Sequence, residues 1–206
     1  MVAIMSDIRF SVRLPAVAAA LATMVLFGGS ALAQGSAGKA AAFLVCHGYG
    51  CEYRTKVLIG STDVDRVADF FTKDAETAEA ERASIRKAVS LFEERSTGAI
   101  GIRDDARSQF GEGRIKGQMD CIDESTNTRG FLLYLQKAGL LRHHTVLANS
   151  SRGMFVDGRY PHATAVIKDK ETGEIFAVDS WFEPGGGPPD IMLLSEWKKR
   201  GVMGER

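Results

Sequence analysis

The chain has 206 residues, with 26 Lys and Arg against 26 Asp and Glu, so its formal net charge is zero. Hydrophobic residues make up 45% and charged residues 25%, the balance of a folded globular protein rather than a disordered one. Neutrality argues against a general nucleic-acid binder, which needs a basic excess to neutralise phosphates, and no repeat period marks a solenoid or a coiled coil.

Residues 1–33 read as a secretory signal peptide. Arg9 and Arg13 make a positive start, Leu14 to Phe27 is almost wholly apolar, and Ala31 and Ala33 fit an A-x-A cleavage site before Gln34. The apolar run falls short of the roughly 20 residues of a spanning helix, which weakens the reading as an uncleaved membrane anchor. Residues 34–206 are then expected to form a single domain, periplasmic or secreted, with no membrane span after signal cleavage.

All three cysteines, Cys46, Cys51 and Cys121, lie beyond that cut. An oxidising compartment pairs what it can. Cys46 and Cys51 flank His47-Gly48-Tyr49-Gly50, whose glycines permit a tight loop, so these two are expected to form a disulfide. Cys121 is left over as a free reactive thiol, an intermolecular partner or an inert buried residue. A zinc site of Cys46, His47 and Cys51 with His143 or His144 lacks a second close-spaced ligand pair of the usual kind; no metal and no organic cofactor is expected.

Along the chain, residues 34–42 read as a flexible tail, and Phe43 to Cys51 and Val57 to Gly60 as short and irregular. Asp63 or Asp65 caps a helix to about Lys73, with Val67, Phe70 and Phe71 inward. A second helix is expected from about Ala75 to Glu94. Ala78, Ile85, Ala88, Val89 and Phe92 keep its 3.6 period, Glu79, Glu81, Arg82, Arg86 and Lys87 form a charged face, and Gly98 stops it. Residues 98–118 read as a loop that covers or lines a site. Acidic residues then crowd the start of a third helix, about Asp120 to Ala138, with Cys121 in its first turn and Phe131, Leu132, Leu133 and Leu135 inward.

After Gly139 the period shortens towards 2. Thr145 to Ala148, Met154 to Val156, Ala163 to Ile167 and Ile175 to Val178 are β-type runs. The polar stretch Lys168 to Gly173 joins the last two as an antiparallel hairpin. Ser195 caps a short last helix containing Trp197. Helices first and a sheet afterwards describe an α+β domain, the Cys121 helix packed on an antiparallel sheet.

A thiol is a nucleophile only as the thiolate, which a helix N-terminus and a neighbouring imidazole both favour. His162 opens the first hairpin strand and Asp179 ends the second. A hairpin centred between Lys170 and Glu171 sets 162 opposite 179 on one face, and a one-residue slip would separate them. Asp179 is then placed to hold the His162 tautomer in a Cys-His-Asp set. Gln118, Asp120, Asp123, Glu124 and Asn127 cluster near Cys121 as capping or supporting residues, with Gln118 a candidate oxyanion donor. Trp181 either screens the His–Asp pair or fills the core.

The order of these residues resembles that of the transglutaminase-like superfamily, and more narrowly the bacterial transglutaminase-like cysteine proteinases. Cys121-Ile122-Asp123 resembles their Cys-x-Asp helix start, His162-Ala163 their His-Ala before an apolar strand, and Val178-Asp179-Ser180 their Asp after one. Met119 stands where the family often has Gly, and Cys46 and Cys51 have no counterpart in it. The resemblance spans roughly residues 118–182. It implies a papain-like core in circular order, with Cys121 as nucleophile, His162 as base and Asp179 as its orienter. The expected activity is a hydrolase or acyltransferase on peptide or glutaminyl-type amides. The expected partner is a peptide or protein substrate, a cell-envelope component among the candidates, and not nucleic acid. The alternative is a non-catalytic envelope binding protein that keeps the fold.

Overall fold

A computed structural model of the chain describes residues 39–107, 114–153 and 161–200. All of them belong to the unit Ser36–Arg206. The expected signal peptide and the expected strand Met154 to Val156 lie outside the described residues.

The described chain opens with a hairpin where irregular segments are expected. Strands β1 (Ala41–His47) and β2 (Tyr53–Ile59) pair antiparallel as a two-stranded sheet, Phe43 opposite Val57. Val45, Val57 and Ile59 face inward and are buried, but Leu44 and Leu58 face out and are exposed. Apolar residues on both faces erase the alternation by which a half-buried strand is recognised.

Helix α1 (Ser61–Asp74) starts at Gly60 without a side-chain cap. Neither Asp63 nor Asp65 caps it; Asp63 lies in the first turn, where its carboxylate binds the Arg95 guanidinium at 2.7 Å. Helix α2 (Ala78–Ile100) starts at Thr77, whose hydroxyl accepts the Ala80 N–H at 3.1 Å. It runs through Gly98 and ends at Gly101, which takes the left-handed φ of +82° that a glycine adopts without steric cost. Val67, Phe71, Ile85, Ala88, Val89 and Phe92 are buried as expected. Glu81, expected on the charged face, is fully buried instead.

Helix α3 (Cys121–Lys137) follows its sequence expectation closely. Asp120 is the N-cap, and with Asp123 it forms a reciprocal capping box. Phe131, Leu132 and Leu135 are buried. Phe43, Phe92 and Phe131 meet with ring centroids 4.5 to 5.7 Å apart, joining the first hairpin to α2 and α3.

Strands β3 (His144–Val146), β4 (Ser150–Arg152), β5 (His162–Asp169), β6 (Ile175–Asp179) and β7 (Asp190–Leu193) build a five-stranded antiparallel sheet. The order is β3-β5-β6-β7, and β4 pairs with the start of β5, Arg152 opposite His162. Helix α4 (Leu194–Lys199) follows directly, its N-cap at Leu193 without a side-chain bond, so Ser195 is not the cap. The architecture is α+β, with α3 packed against β5 and β1. Among the described residues no helix is long and apolar enough to cross a membrane.

Candidate active site

The start of α3 is clamped by the loop between β1 and β2. Cys46 and Cys51 form a disulfide. Gly48, Tyr49, Gly50 and Cys51 all have positive φ, a run that two non-glycine residues join at steric cost. Gly48 is required for a second reason: a Cβ there would lie 2.4 Å from the Tyr53 ring. Successive backbone N–H groups of such a loop point into one concavity suited to an anion. Here the anion is a side chain. Asp123 accepts the backbone N–H groups of Tyr49, at 2.7 Å, and of Cys51, while Asp120 accepts that of Gly50 at 3.4 Å.

Burial pushes the Asp123 carboxyl up to about 6, with the charge of Asp120 adding to the effect and the backbone donors working against it. Asn127 completes the clamp. Its amide accepts the Cys46 N–H and donates to the Cys46 carbonyl, both at 2.8 Å. The Gln118 side chain is held by the segment after α2: its carbonyl oxygen accepts the Asp105 N–H and its amide donates to the Arg103 carbonyl at 3.2 Å.

Cys121, the free cysteine, is half-buried at the first position of α3. Burial pushes its thiol up to about 11, against a hydrogen bond from the Ala163 backbone, and the charges of Asp120 and Asp179 raise it further. That bond places the thiol beside the backbone of Ala163, the second residue of β5.

His162 and Asp179 meet by a different register from the one expected. Ala165 opposes Val178, a displacement of two residues. Its cause is the turn: the Asp169 carboxylate accepts the N–H groups of Glu171 and Thr172, and Gly173 closes the loop at φ +75°. A two-residue shift conserves the face, so the two residues meet as diagonal neighbours. His162 Nε2 and Asp179 Oδ2 are 2.8 Å apart, and both residues are buried. Among the described residues His162 Nδ1 has no hydrogen-bond partner. Trp181 is buried with its ring 4.7 Å from that of His162, so it both fills the core and covers the pair. Phe182 and Trp197 complete the aromatic wall at 5.7 and 5.6 Å.

The remaining histidines are occupied elsewhere or lie outside this cluster. His47 Nδ1 accepts the Gly117 N–H, and its Nε2 meets the Thr55 hydroxyl at 2.9 Å. His144 lies against Glu81 and Arg82. The Cys46 and Cys51 sulfurs are bonded to each other, His47 and His144 are engaged by the partners above, and Asp123 lies near the two sulfurs.

Two features had no signal in the sequence. Trp197 donates its indole N–H to Asp179 Oδ2 at 2.6 Å. Behind α3, the acids Glu93, Asp104 and Glu124 line a small pocket. Burial pushes Asp104 up to about 7 and Glu93 up to about 8, and holds Glu124 well above the carboxylate range. Comparisons with protein-family models, with curated proteins and with solved structures found no match.

Proposed function

We propose that this protein is an exported thiol enzyme of the transglutaminase-like type, built on a papain-like core in circular order and acting on a peptide or glutaminyl-type amide. The observation that carries the reading is the buried His162–Asp179 bond with Nδ1 of the same ring left without a partner among the described residues. That nitrogen belongs to the residue before Ala163, whose backbone reaches the Cys121 thiol. A thiol held near 11 does not ionise alone at neutral pH, so its proton must pass to a base.

In the proposed cycle His162 Nδ1 takes the Cys121 proton as the sulfur attacks the amide carbonyl. The proton then goes to the leaving amine as the C–N bond breaks, leaving a thioester on Cys121. Water attacking that thioester gives hydrolysis and an amine gives transfer; either way the sulfur regains a proton through His162. Asp179 keeps the imidazole oriented and stabilises it when protonated. The disulfide supports export, since such bonds persist in oxidising compartments.

The raised thiol is the one observation that favours a second reading, a non-catalytic envelope binding protein with an inert cysteine. The alkylation rate of Cys121 at about pH 6 in the oxidised protein decides between them. The enzyme reading expects a rate above that of a simple thiol and its loss in His162→Ala. A rate at or below that of a simple thiol sinks it.

A further inference from the structure

The segment 103–107 ties the two halves of the candidate site together. On one side it holds the approach to Cys121: Asp104 Oδ1 accepts the Met119 N–H at 2.6 Å, and the Gln118 side chain bonds the Asp105 N–H and the Arg103 carbonyl. On the other it holds the loop after β6, which carries the aromatic wall over His162. The Asp104 carbonyl accepts the Gly185 N–H at 3.0 Å, and the Arg107 N–H donates to the Trp181 carbonyl at 2.9 Å.

The segment meets α3 through two acids. Asp104 and Glu124 are 1% and 7% exposed, and their carboxyls lie within hydrogen-bond reach of each other. Asp104 Oδ2 and Glu124 Oε2 are buried, and no N–H or O–H donor among the described residues reaches either. The Thr97 hydroxyl lies in the same pocket lining and bonds neither. None of the described residues lining that pocket is Lys, Arg or His. The charged groups that face the pair are all acidic: Glu93 of α2, Asp105 beside Asp104, Asp123 of α3 and Asp179 of β6. Two ionised carboxyls in such a place repel each other, whereas one that keeps its proton donates to the other.

We propose that a proton held between Asp104 and Glu124 fastens the segment 103–107 as a pH-sensitive strap, keeping the start of α3 and the aromatic wall in place against each other. The strap is a property of the fold; that it governs Cys121 rests on the thiol-enzyme reading. Burial and the acidic neighbours raise both carboxyls, so the strap is complete at acidic pH and is released as the pH rises beyond neutrality and the last proton leaves.

Carbon NMR of the two side-chain carboxyls in the oxidised protein should show them moving together, in coupled steps above the ordinary carboxylate range, unchanged by added calcium. Amide exchange at Met119 and Gly185, corrected for its intrinsic pH dependence, should rise about tenfold across the upper step, the equivalent of one lost hydrogen bond. In Glu124→Gln the amide N–H takes the place of the proton, so the rise should disappear while the slow exchange at acidic pH is kept. Where Cys121 is reactive, its excess alkylation rate over a simple thiol should decline across the same step and persist in Glu124→Gln. Separate titration of the two carboxyls in the ordinary range overturns the proposal, and that measurement needs no variant. So does a transition displaced by calcium, which would put a cation between the oxygens, or an exchange rise that persists in a folded Glu124→Gln. The two readings fail separately. An unreactive Cys121 beside coupled carboxyls sinks the enzyme and keeps the strap; a reactive Cys121 beside carboxyls that titrate separately does the reverse.

Discussion

His144 and His162 each face a buried carboxylate, and they differ in whether the second ring nitrogen is also engaged. His144 Nδ1 meets Glu81 at 2.9 Å, and the Arg82 guanidinium, which can only donate, meets Nε2 at 3.2 Å. Both ring nitrogens are thus in use, and Glu81 also accepts the backbone N–H groups of Arg142, His143 and His144. Burial opposes ionisation of Glu81, but these bonds and the imidazole outweigh it and hold its carboxyl low. Glu81→Ala is expected to cost about 3–5 kcal/mol, because it strands a buried imidazole and three N–H groups; a smaller loss by denaturant titration would contradict this. His143→Ala and His144→Ala should leave Cys121 alkylation at about pH 6 near wild type, whereas His162→Ala should abolish its excess reactivity. Asp179→Asn should give a smaller loss, since the amide retains the packing but not a carboxylate acceptor. Reactivity lost in His144→Ala and kept in His162→Ala would reassign the base.

Among the elements, the β1–β2 loop and α3 behave as one unit. The disulfide closes a short loop whose left-handed residues aim their N–H groups at Asp120 and Asp123, and Asn127 holds Cys46 from the next turn of α3. A cross-link this short contributes about 2 kcal/mol by restricting the unfolded chain. Reduction, or Cys51→Ala, should therefore lower stability by about that amount in a denaturant titration. The loss should be local first. Amide exchange is expected to accelerate at Tyr49, Cys51 and Asp123 before it does in β5 and β6. Uniform acceleration across the sheet would show that the loop and helix start do not form such a unit.

At the scale of the whole molecule, the buried acids set how stability varies with pH. Asp104, at about 7, and Glu93, at about 8, hold their protons more tightly folded than unfolded, where carboxyls titrate near 4. Their contribution is complete below pH about 4 and is lost as the pH rises through the folded values. Asp63 and Asp169 work in the opposite sense. Their carboxyls are held low, by the Arg95 hydrogen bond and by the Thr172 and Glu171 backbone N–H groups, so their contribution is lost as the pH falls through the acid range. Thermal stability should peak at mildly acidic pH and decline towards pH 8. Glu124→Gln should flatten the alkaline decline, because it removes a carboxyl whose proton is held by burial and by the charges of Asp104 and Glu93; calorimetry across pH 5 to 8 in both proteins tests this, and equal slopes would count against it.

What the sequence by itself determined is local. Acidic residues before an apolar period placed the start of α3 and set Cys121 in its first turn, because capping acts between residues three apart. Two glycines inside a short cysteine loop made the Cys46–Cys51 pair legible, and alternation marked β5 and β6. It also put His162 and Asp179 on one face, and that face survived a register displaced by two residues, since side chains repeat every second position. The tertiary structure alone decided which charges go inside. Glu81 sits on a helix face that reads as solvent-exposed; its burial depends on His144, far along the chain, arriving opposite it. The same holds for Glu93, Asp104 and Glu124, whose raised proton affinity exists only once α2, the loop after it and α3 close over them. Trp197 is a core residue by any local rule, and its hydrogen bond to Asp179 arises because α4 folds back onto β6. Periods and caps are written in neighbouring residues; desolvation and long-range hydrogen bonds come into being only when distant segments pack.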